Sequence, residues 1–330
     1  MTLCIILVMD VLFEWNIGGF RARWNRPWAF SSGFSHPALC GIWIGVGTRD
    51  VERFLEDRVV PTLYPRATSC SSTCTTAMRL LANDQAAMST AEQDKMLAAW
   101  QGELLASLKL AGAALVGFAD LTCLPTEARH GLPRAISLAV VLDPSVVAGL
   151  VSGPTTAYHT EYDRVNELLS NLACLAKSSI EARGFVAQAG AVTVRVVEGD
   201  GATALPHKTV ATRAGLGWIG HSALLVTPEF GKSVRLASVL TNAPFVCAEP
   251  VQESRCGRCR ECVDACPAGA ITGHPWSPGI DRHRILNAAA CGKKASALAA
   301  DQGIDVTICG ICILACPWTR RYLRSRGKAA

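Results

Sequence analysis

Hydrophobic residues recur three and four positions apart through residues 88–112, MSTAEQDKMLAAWQGELLASLKLAG, as they do on one face of a helix. The apolar positions of this face are Leu97, Trp100, Leu104, Leu105 and Leu108. Ser89 or Thr90 stands where a capping residue is expected, because its side-chain oxygen can accept a hydrogen bond from a free backbone N–H. The pattern therefore predicts a helix that begins at one of these two residues.

A second helical pattern runs through residues 160–184, TEYDRVNELLSNLACLAKSSIEARG. Thr160 and Asp163 resemble a capping box, and Gly184 follows as a stop. Its apolar stripe consists of Val165, Leu168, Leu169, Leu172, Leu175, Ala176 and Ile180. Cys174 borders this stripe, which predicts a core position for it rather than a ligand position.

Short runs rich in Val, Leu, Ile and Ala predict strands between and after the helices. They cover residues 113–121, 134–142, 191–197, 222–227 and 234–241. Helical and strand patterns thus interleave, and the fold class is α/β (α+β). With 330 residues, half of them hydrophobic, the chain is long enough for two domains with a sizeable core.

Residues 1–87 differ from the rest of the chain in composition and in the spacing of their hydrophobic residues. They hold four of the eight tryptophans without helical or strand period, and then the polar stretch RATSCSSTCTTA. We expect an irregular N-terminal extension, with a natural start at Met88 or Met96; a genuine extension is the alternative. An α/β domain that binds substrate or a corrin is predicted over 88–245, and a cysteine-rich domain over 246–330.

The apolar run at the N-terminus is short, is broken by Asp10 and lacks a basic segment before it. No later segment reaches 18 apolar residues without a charge. We therefore expect a cytoplasmic protein without a membrane partner. The formal net charge of +5 is too small by itself to indicate nucleic acid.

The segment RAGLGWIGHSALL contains Gly215-x-Gly217-x-x-Gly220, the spacing of a dinucleotide-binding loop. That motif needs a buried strand before it, a helix after it and an acidic residue about 20 positions later. The residues before the motif do not alternate between apolar and polar as a strand would, and those after it resemble a strand rather than a helix. At the position of the expected acid the sequence has Leu240, Thr241 and Asn242, none of which is acidic. A nicotinamide cofactor is therefore not expected.

Eight of the fifteen cysteines lie in the last quarter of the chain. The first run is Cys256-x2-Cys259-x2-Cys262-x3-Cys266-Pro267, and the second is Cys309-x2-Cys312-x3-Cys316-Pro317, with Cys291 before it. The first run has the spacing of bacterial [4Fe–4S] ligation, in which the fourth cysteine binds the other cluster. The odd cysteine total and the tight spacing argue against disulfides. Zinc, which prefers two separated CxxC pairs, fits poorly.

Two [4Fe–4S] clusters follow, with two ways to assign their ligands. In the crossed assignment Cys256, Cys259 and Cys262 share a cluster with Cys316, and Cys266 joins the other three. In the self-contained assignment each run keeps its own cysteines. The spacing of three and the proline that follows it favour crossing, because they turn Cys266 away from the loop around the first cluster.

Residues 110–322, above all the Gly-Leu-Gly-Trp-Ile-Gly segment and the cysteine runs, resemble the epoxyqueuosine reductases, which are themselves similar to reductive dehalogenases. The resemblance implies a nitroreductase-like α/β domain followed by a double [4Fe–4S] ferredoxin domain, and it allows for cobalamin. Gly215, Gly217, Trp218 and Gly220 would then border the corrin. The partners implied are a low-potential electron donor such as flavodoxin or ferredoxin, and a small-molecule or modified-nucleoside substrate. We expect an oxidoreductase that removes an oxygen or another leaving group.

Alternatives remain at three points. The glycines also fit a tight turn packed on the ferredoxin domain. The acidic residue that donates a proton in the family corresponds here to Gly201, so that Asp200, His207 or Lys208 would have to serve, and His207 also fits a structural role. The basic tail RRYLRSRGK fits a solvated helix end better than a tRNA contact. A non-catalytic electron carrier is the alternative to the enzyme.

Overall fold

The computed structural model describes residues 90–192 and 203–327, and residues 87–330 form one compact unit. The predicted N-terminal extension lies outside the described residues. Helices and strands follow one another in the order α1 Thr90–Leu110, β1 Leu115–Asp120, β2 Arg134–Val141, α2 Pro144–Ala148, α3 Thr156–Glu181, β3 Ala187–Ala189, α4 His207–Arg213, β4 Trp218–Ile219, β5 Leu225–Val226, β6 Val234–Thr241, α5 Glu261–Asp264, a 3₁₀ turn Arg282–Arg284, α6 Ala288–Ala300, α7 Ile311–Leu314 and α8 Pro317–Ser325.

Helix α1 confirms the first helical prediction. Trp100, Leu104 and Leu108 are buried, and Leu97 packs against the same core. Leu105 is 36% exposed, so its predicted core position is wrong. It lies one position past the stripe, and the 100° rotation per residue carries its side chain toward solvent.

Helix α3 is also confirmed, but its predicted start is wrong. The cap is Thr155, whose Oγ1 accepts from the Tyr158 N–H at 3.1 Å. Thr160 lies inside the helix and donates to the Thr156 carbonyl. Leu175 is 40% exposed and Cys174 is exposed as well, which corrects both core predictions; the rest of the stripe is buried or packs against the core. Gly184, at φ +80°, follows the end of the helix as predicted.

Four strands form an antiparallel sheet in the order β1-β2-β6-β3. Its centre is the long β2–β6 pair, in which Arg134 lies opposite Thr241. The predicted strands 113–121, 134–142 and 234–241 correspond to β1, β2 and β6. The segment 222–227 contributes the short strand β5, which pairs with β4 outside this sheet. Most of 191–197 lies outside the described residues, and β3 comes just before it.

Helices cover both faces of the sheet because successive strand residues point to opposite sides. Ile136, Leu138 and Val140 of β2 face the core built with α1 and α3. Ala135 belongs to a second core on the other face, with Val210 of α4. The sheet is thus the middle layer, and α4 leads directly from its second face into the glycine motif.

The cysteine-rich part shares the main core. Ile308, Ile313, Tyr322 and Leu323 are buried in the same apolar cluster as α1 and α3. The ring of Tyr322 meets Phe230 edge to face, with 5.3 Å between centroids. A boundary between residues 245 and 246 therefore stays a prediction. No helix among the described residues is long and apolar enough to span a membrane.

Candidate metal centre

Two short helices carry the centre of the cysteine-rich part. Cys262 lies in α5 and Cys312 in α7, and the two helices contact each other. Each is followed by a Cys-Pro pair, and Pro317 occupies the first turn of α8, where its missing N–H costs no hydrogen bond. Gly310, at φ +89°, caps α7 in a left-handed conformation that glycine adopts without strain. The two similar cysteine runs therefore fold into similar local structures, each a short helix followed by a Cys-Pro pair.

A first thiol group consists of Cys256, Cys262 and Cys316. Burial raises the pKa of the Cys262 thiol, the Lys232 ammonium lowers it, and Cys316 and Cys256 raise it. Cys316 and Cys256 also pack in one apolar cluster. Cys259 adjoins this group, since its N–H donates to the Cys256 carbonyl at 3.1 Å.

A second thiol group consists of Cys266, Cys291, Cys309 and Cys312. Burial raises the pKa of Cys291, and the nearby thiols of Cys266 and Cys309 raise it further. Burial also raises the pKa of Cys309, with Cys266 again a neighbour. For Cys312, burial raises the pKa to about 12, with Lys232 lowering it and Cys309 and Cys291 among the thiols that raise it.

Cys266 thus interacts with the thiols of the second run, and Cys316 with a thiol of the first. The two groups meet where Cys262 approaches Cys312. Cys262 also shares an apolar cluster with Cys266, Cys291 and Cys312, so the two thiol groups adjoin each other. The crossed assignment of the cluster ligands stays a prediction.

The cysteine thiols suit iron–sulfur clusters better than single metal ions such as zinc. Four zinc ligands at about 2.3 Å would bring their sulfurs within about 4 Å of one another, whereas a cubane places each thiolate on a different iron. Thiol chemistry and spacing therefore fit [4Fe–4S] clusters.

The indole of Trp218 supports the same assignment. Trp218 is completely buried against Cys316 and Val226, and its Nε1–H has no acceptor among the residues that the structure describes. A buried donor without an acceptor costs about 1–3 kcal/mol. Inorganic sulfide of a cluster beside Cys316 would provide an acceptor.

The glycines of the motif permit close packing toward the thiols. A Cβ on Gly217 would collide with the backbone carbonyl of Val226, and one on Gly220 would lie 3.3 Å from the Cys256 Sγ. Gly215 has φ +72° and ends α4. The packing favours the structural turn over a corrin border; contact of these glycines and Trp218 with a corrin stays a prediction. Helix α4 also replaces the strand that a dinucleotide site requires.

Lys232 was missed by sequence reasoning. It is 3% exposed, and its Nζ donates to the Cys312 carbonyl at 3.2 Å. Burial lowers its pKa, but Cys316, Cys312 and Cys262 raise it, and the net change is upward. Its backbone N–H donates to the Thr319 Oγ1 at 2.9 Å. A lysine before a strand looks like a surface residue in sequence, so no local pattern could have revealed it.

Sequence reasoning also missed His221, because no local pattern distinguishes a buried histidine from one at the surface. It is buried, and its Nδ1–H donates to the Cys259 carbonyl at 2.9 Å. Burial lowers the pKa of His221, against the effect of this hydrogen bond, and Lys232 lowers it further. A neutral imidazole thus fixes the backbone of the first cysteine run.

The three proton-donor candidates have different environments. Asp200 lies outside the described residues. His207 uses both ring nitrogens, since Nε2–H donates to the Ala191 carbonyl at 2.9 Å and Nδ1 lies 3.0 Å from the Ser238 hydroxyl. Burial lowers its pKa, so the structural role is favoured. Lys208 donates to the Ala223 carbonyl at 2.7 Å, and burial, followed by the charge of Arg282, lowers its pKa to about 8.

A pocket of about 190 Å³ lies beside His207 and is lined by Gln188, Leu205 and Ser238 among others. Sites for drug-sized ligands measure about 300–1,000 Å³. This pocket is therefore too small by itself to hold a corrin ring, and the binding of cobalamin stays a prediction.

Comparison with known proteins supports the cluster assignment. Residues 255–319 match the family model of a 4Fe-4S double cluster binding domain. This range includes the seven cysteines of the two thiol groups and Cys259, and it confirms the predicted iron–sulfur domain.

Curated relatives are epoxyqueuosine reductases. The protein from Synechococcus sp. (strain CC9605) is 39% identical over 126 residues, 37% of this chain and 38% of its own length. That of Pseudomonas aeruginosa is 28% identical over 216 residues, 62% of this chain and 56% of its own. For the Bacillus anthracis protein the values are 45% over 67 residues, 20% and 17%. The chain thus spans well under two thirds of each of these relatives.

Two solved structures align with about two thirds of this chain. An epoxyqueuosine reductase crystallised with a modified tRNA-Tyr stem loop has a TM-score of 0.47 at 18% identity, over 68% of this chain and 66% of that one. The reductive dehalogenase NpRdhA has a TM-score of 0.49 at 18% identity, over 64% and 31%. The sequence relatives confirm the predicted resemblance: this chain, with its mixed helix–sheet half and its double-cluster domain, is similar to the epoxyqueuosine reductases.

Proposed function

We propose that this protein is an iron–sulfur oxidoreductase that passes electrons through two [4Fe–4S] clusters to a substrate held by the α/β part. The observation that carries the proposal is the packing of the cysteine-rich part on the α/β part. Gly220 and Trp218 adjoin the first group, and the buried Tyr158 of α3 lies near Cys312 and Cys309 of the second. An electron carrier needs only the cluster domain, whereas here the α/β part shares an apolar core with it.

The ligands of the first cluster are Cys256, Cys259, Cys262 and Cys316. Those of the second are Cys266, Cys291, Cys309 and Cys312. Supporting this crossed assignment are the two thiol groups, whose members interact across the sequence runs. Each cluster would supply one electron at a time, and these eight thiolates would hold the two clusters.

A triple-variant experiment tests the crossed ligation. In a Cys309→Ala/Cys312→Ala background, one cluster remains, and adding Cys316→Ala should destroy or convert it. Adding Cys266→Ala instead should have little effect on iron content or on the electron paramagnetic resonance spectrum. The opposite pattern would establish the self-contained assignment.

The reaction class follows from the resemblance and from electron counting. Removing an epoxide oxygen as water consumes two electrons and two protons, and two one-electron clusters match that demand. We propose Lys208 as a source of one proton, because its amine keeps donors beyond its bond to Ala223 and its lowered pKa lies near neutrality. The substrate is a modified nucleoside, free or within tRNA, and the electron donor is a low-potential flavodoxin or ferredoxin.

Anaerobically reconstituted protein tests this function. Iron, acid-labile sulfide and cobalt are measured together, with and without supplied cobalamin. The reduced protein is then offered epoxyqueuosine as nucleoside and as a tRNA stem loop, and the product is identified by mass spectrometry. Conversion of either supports the enzyme, and steep salt dependence for the stem loop alone would indicate tRNA binding. Full cluster content without conversion, and with electron transfer to a partner protein, would support a carrier. Stoichiometric cobalt retained after desalting would show that cobalamin binds.

A further inference from the structure

Lys232 places a buried positive charge at the junction of the two thiol groups. Its ammonium donates to the Cys312 carbonyl of the second group at 3.2 Å, and its Cε and the Cys256 Sγ of the first group both lie within 4 Å of the position that a Cβ on Gly220 would take. Across the residues that the structure describes, Lys232 makes no ion pair with a carboxylate. An ammonium taken out of water costs several kcal/mol unless an opposite charge compensates it.

The surrounding backbone is shaped to hold this side chain. Thr319, just after Cys316-Pro317, accepts the Lys232 N–H, and Gly231 allows the close approach, since a Cβ there would lie 2.6 Å from the Thr319 Cα. Gly220 lies between the thiol of Cys256 and the lysine stem, with its missing Cβ 3.7 Å from the Lys232 Cε. The third glycine of the motif thus makes room for the lysine beside the first thiol group.

We propose that Lys232 sets the reduction potentials of both clusters. In each cube four thiolates outweigh the charge of the iron–sulfide core, so the cluster is a net anion, and reduction adds one more electron. A fixed ammonium between the cubes stabilises the reduced form more than the oxidised form, and cluster potentials respond to net charge and hydrogen bonding. Lys232 is a positioning residue that acts on the electron-carrying groups. The inference rests on the two clusters and is independent of the substrate.

Potentiometric titration followed by electron paramagnetic resonance tests the role of Lys232 in full-length, reconstituted protein. Lys232→Met removes the charge, Lys232→Gln removes it but keeps a hydrogen-bond donor, and Lys232→Arg keeps both. We expect each neutral variant to lower the equilibrium constant for one-electron reduction about tenfold or more, which corresponds to about 59 mV. Lys232→Arg should retain most of the wild-type potential. Lys177→Met, at an exposed position on α3, is the matched control and should leave the potentials unchanged.

Iron and sulfide content, measured on every variant, separates cluster assembly from cluster tuning. If Lys232→Met does not fold, the Lys232→Gln titration decides. Wild-type potentials in a cluster-loaded neutral variant would overturn the proposal. An equal fall in Lys232→Arg would also overturn it, since packing rather than charge would then be responsible. Wild-type protein without two clusters would instead refute the proposed function.

Discussion

A methyl group added at Gly217 would collide with backbone that has no room to move. Its position would lie 2.9 Å from the carbonyl carbon of Val226 and 3.2 Å from the Cα of Thr227, and closer still to the Val226 oxygen. Val226 is held opposite Trp218 by the β4–β5 pair, and Thr227 is bonded to Gly231 in both directions. Relief of the collision therefore requires a shift of this hairpin against the thiols.

Overpacking of a core costs about 1–3 kcal/mol, and more where backbone must move. We expect Gly217→Ala to lose about 3 kcal/mol of unfolding free energy or more, which lowers Tm by about 6–12 °C for a unit of this size. Gly220→Ala should cost less in stability, because its nearest obstacle is a methyl of Val226 at 2.9 Å. It should nevertheless reduce iron content, because the new Cβ would press on the Cys256 thiol.

Thermal unfolding of anaerobically purified protein, at one scan rate and with iron measured per chain, is the assay. Gly102→Ala is the matched control: Gly102 lies in α1 with nothing near its missing Cβ, so alanine should raise stability by up to about 1 kcal/mol. A Gly217→Ala protein within 1 kcal/mol of wild type, with full iron, would refute the packing explanation. It would return this glycine to the ligand-binding hypothesis.

The remaining predictions concern nicotinamide binding, Lys208 and the N-terminal residues. Calorimetric titration with NADH and NADPH should show no binding in the micromolar range, a coarse threshold for a working cofactor site, and saturable binding abolished by Gly217→Val would contradict this. If protonated Lys208 is the acid, the rate should fall as pH rises through about 8, and Lys208→Met should remove that dependence. Because the pKa of Lys208 is lowered from 10.5, the unfolded chain binds its proton more tightly, so wild-type stability should rise relative to Lys208→Met between about pH 8 and 10.5. A chain that begins at Met88 should bind as much iron as the full chain; aggregation or iron loss would show that residues 1–87 belong to the fold.

The sequence predicted the elements whose signal is local. Helices α1 and α3 and strands β1, β2 and β6 each carry an apolar period over many residues, and averaging over that length outweighs single errors such as Leu105 and Leu175. The start of α3 was misplaced because Thr155, Thr156 and Thr160 stand within six residues, and only the chain path before the helix selected Thr155 as the cap.

The metal centre, too, was predicted from sequence only in part. Cysteine spacing indicated two clusters and a crossed ligand set from sequence, because tight loops and Cys-Pro pairs constrain where thiolates can point. The neighbours of those thiols come from distant segments: Lys232, His221 and Trp218 reach the cysteines through a hairpin held by Gly217 and Gly231. In one dimension a buried lysine and a solvated lysine look alike. Only the tertiary structure, by closing that hairpin onto the thiols, decided that this positive charge is desolvated and lies between the two groups.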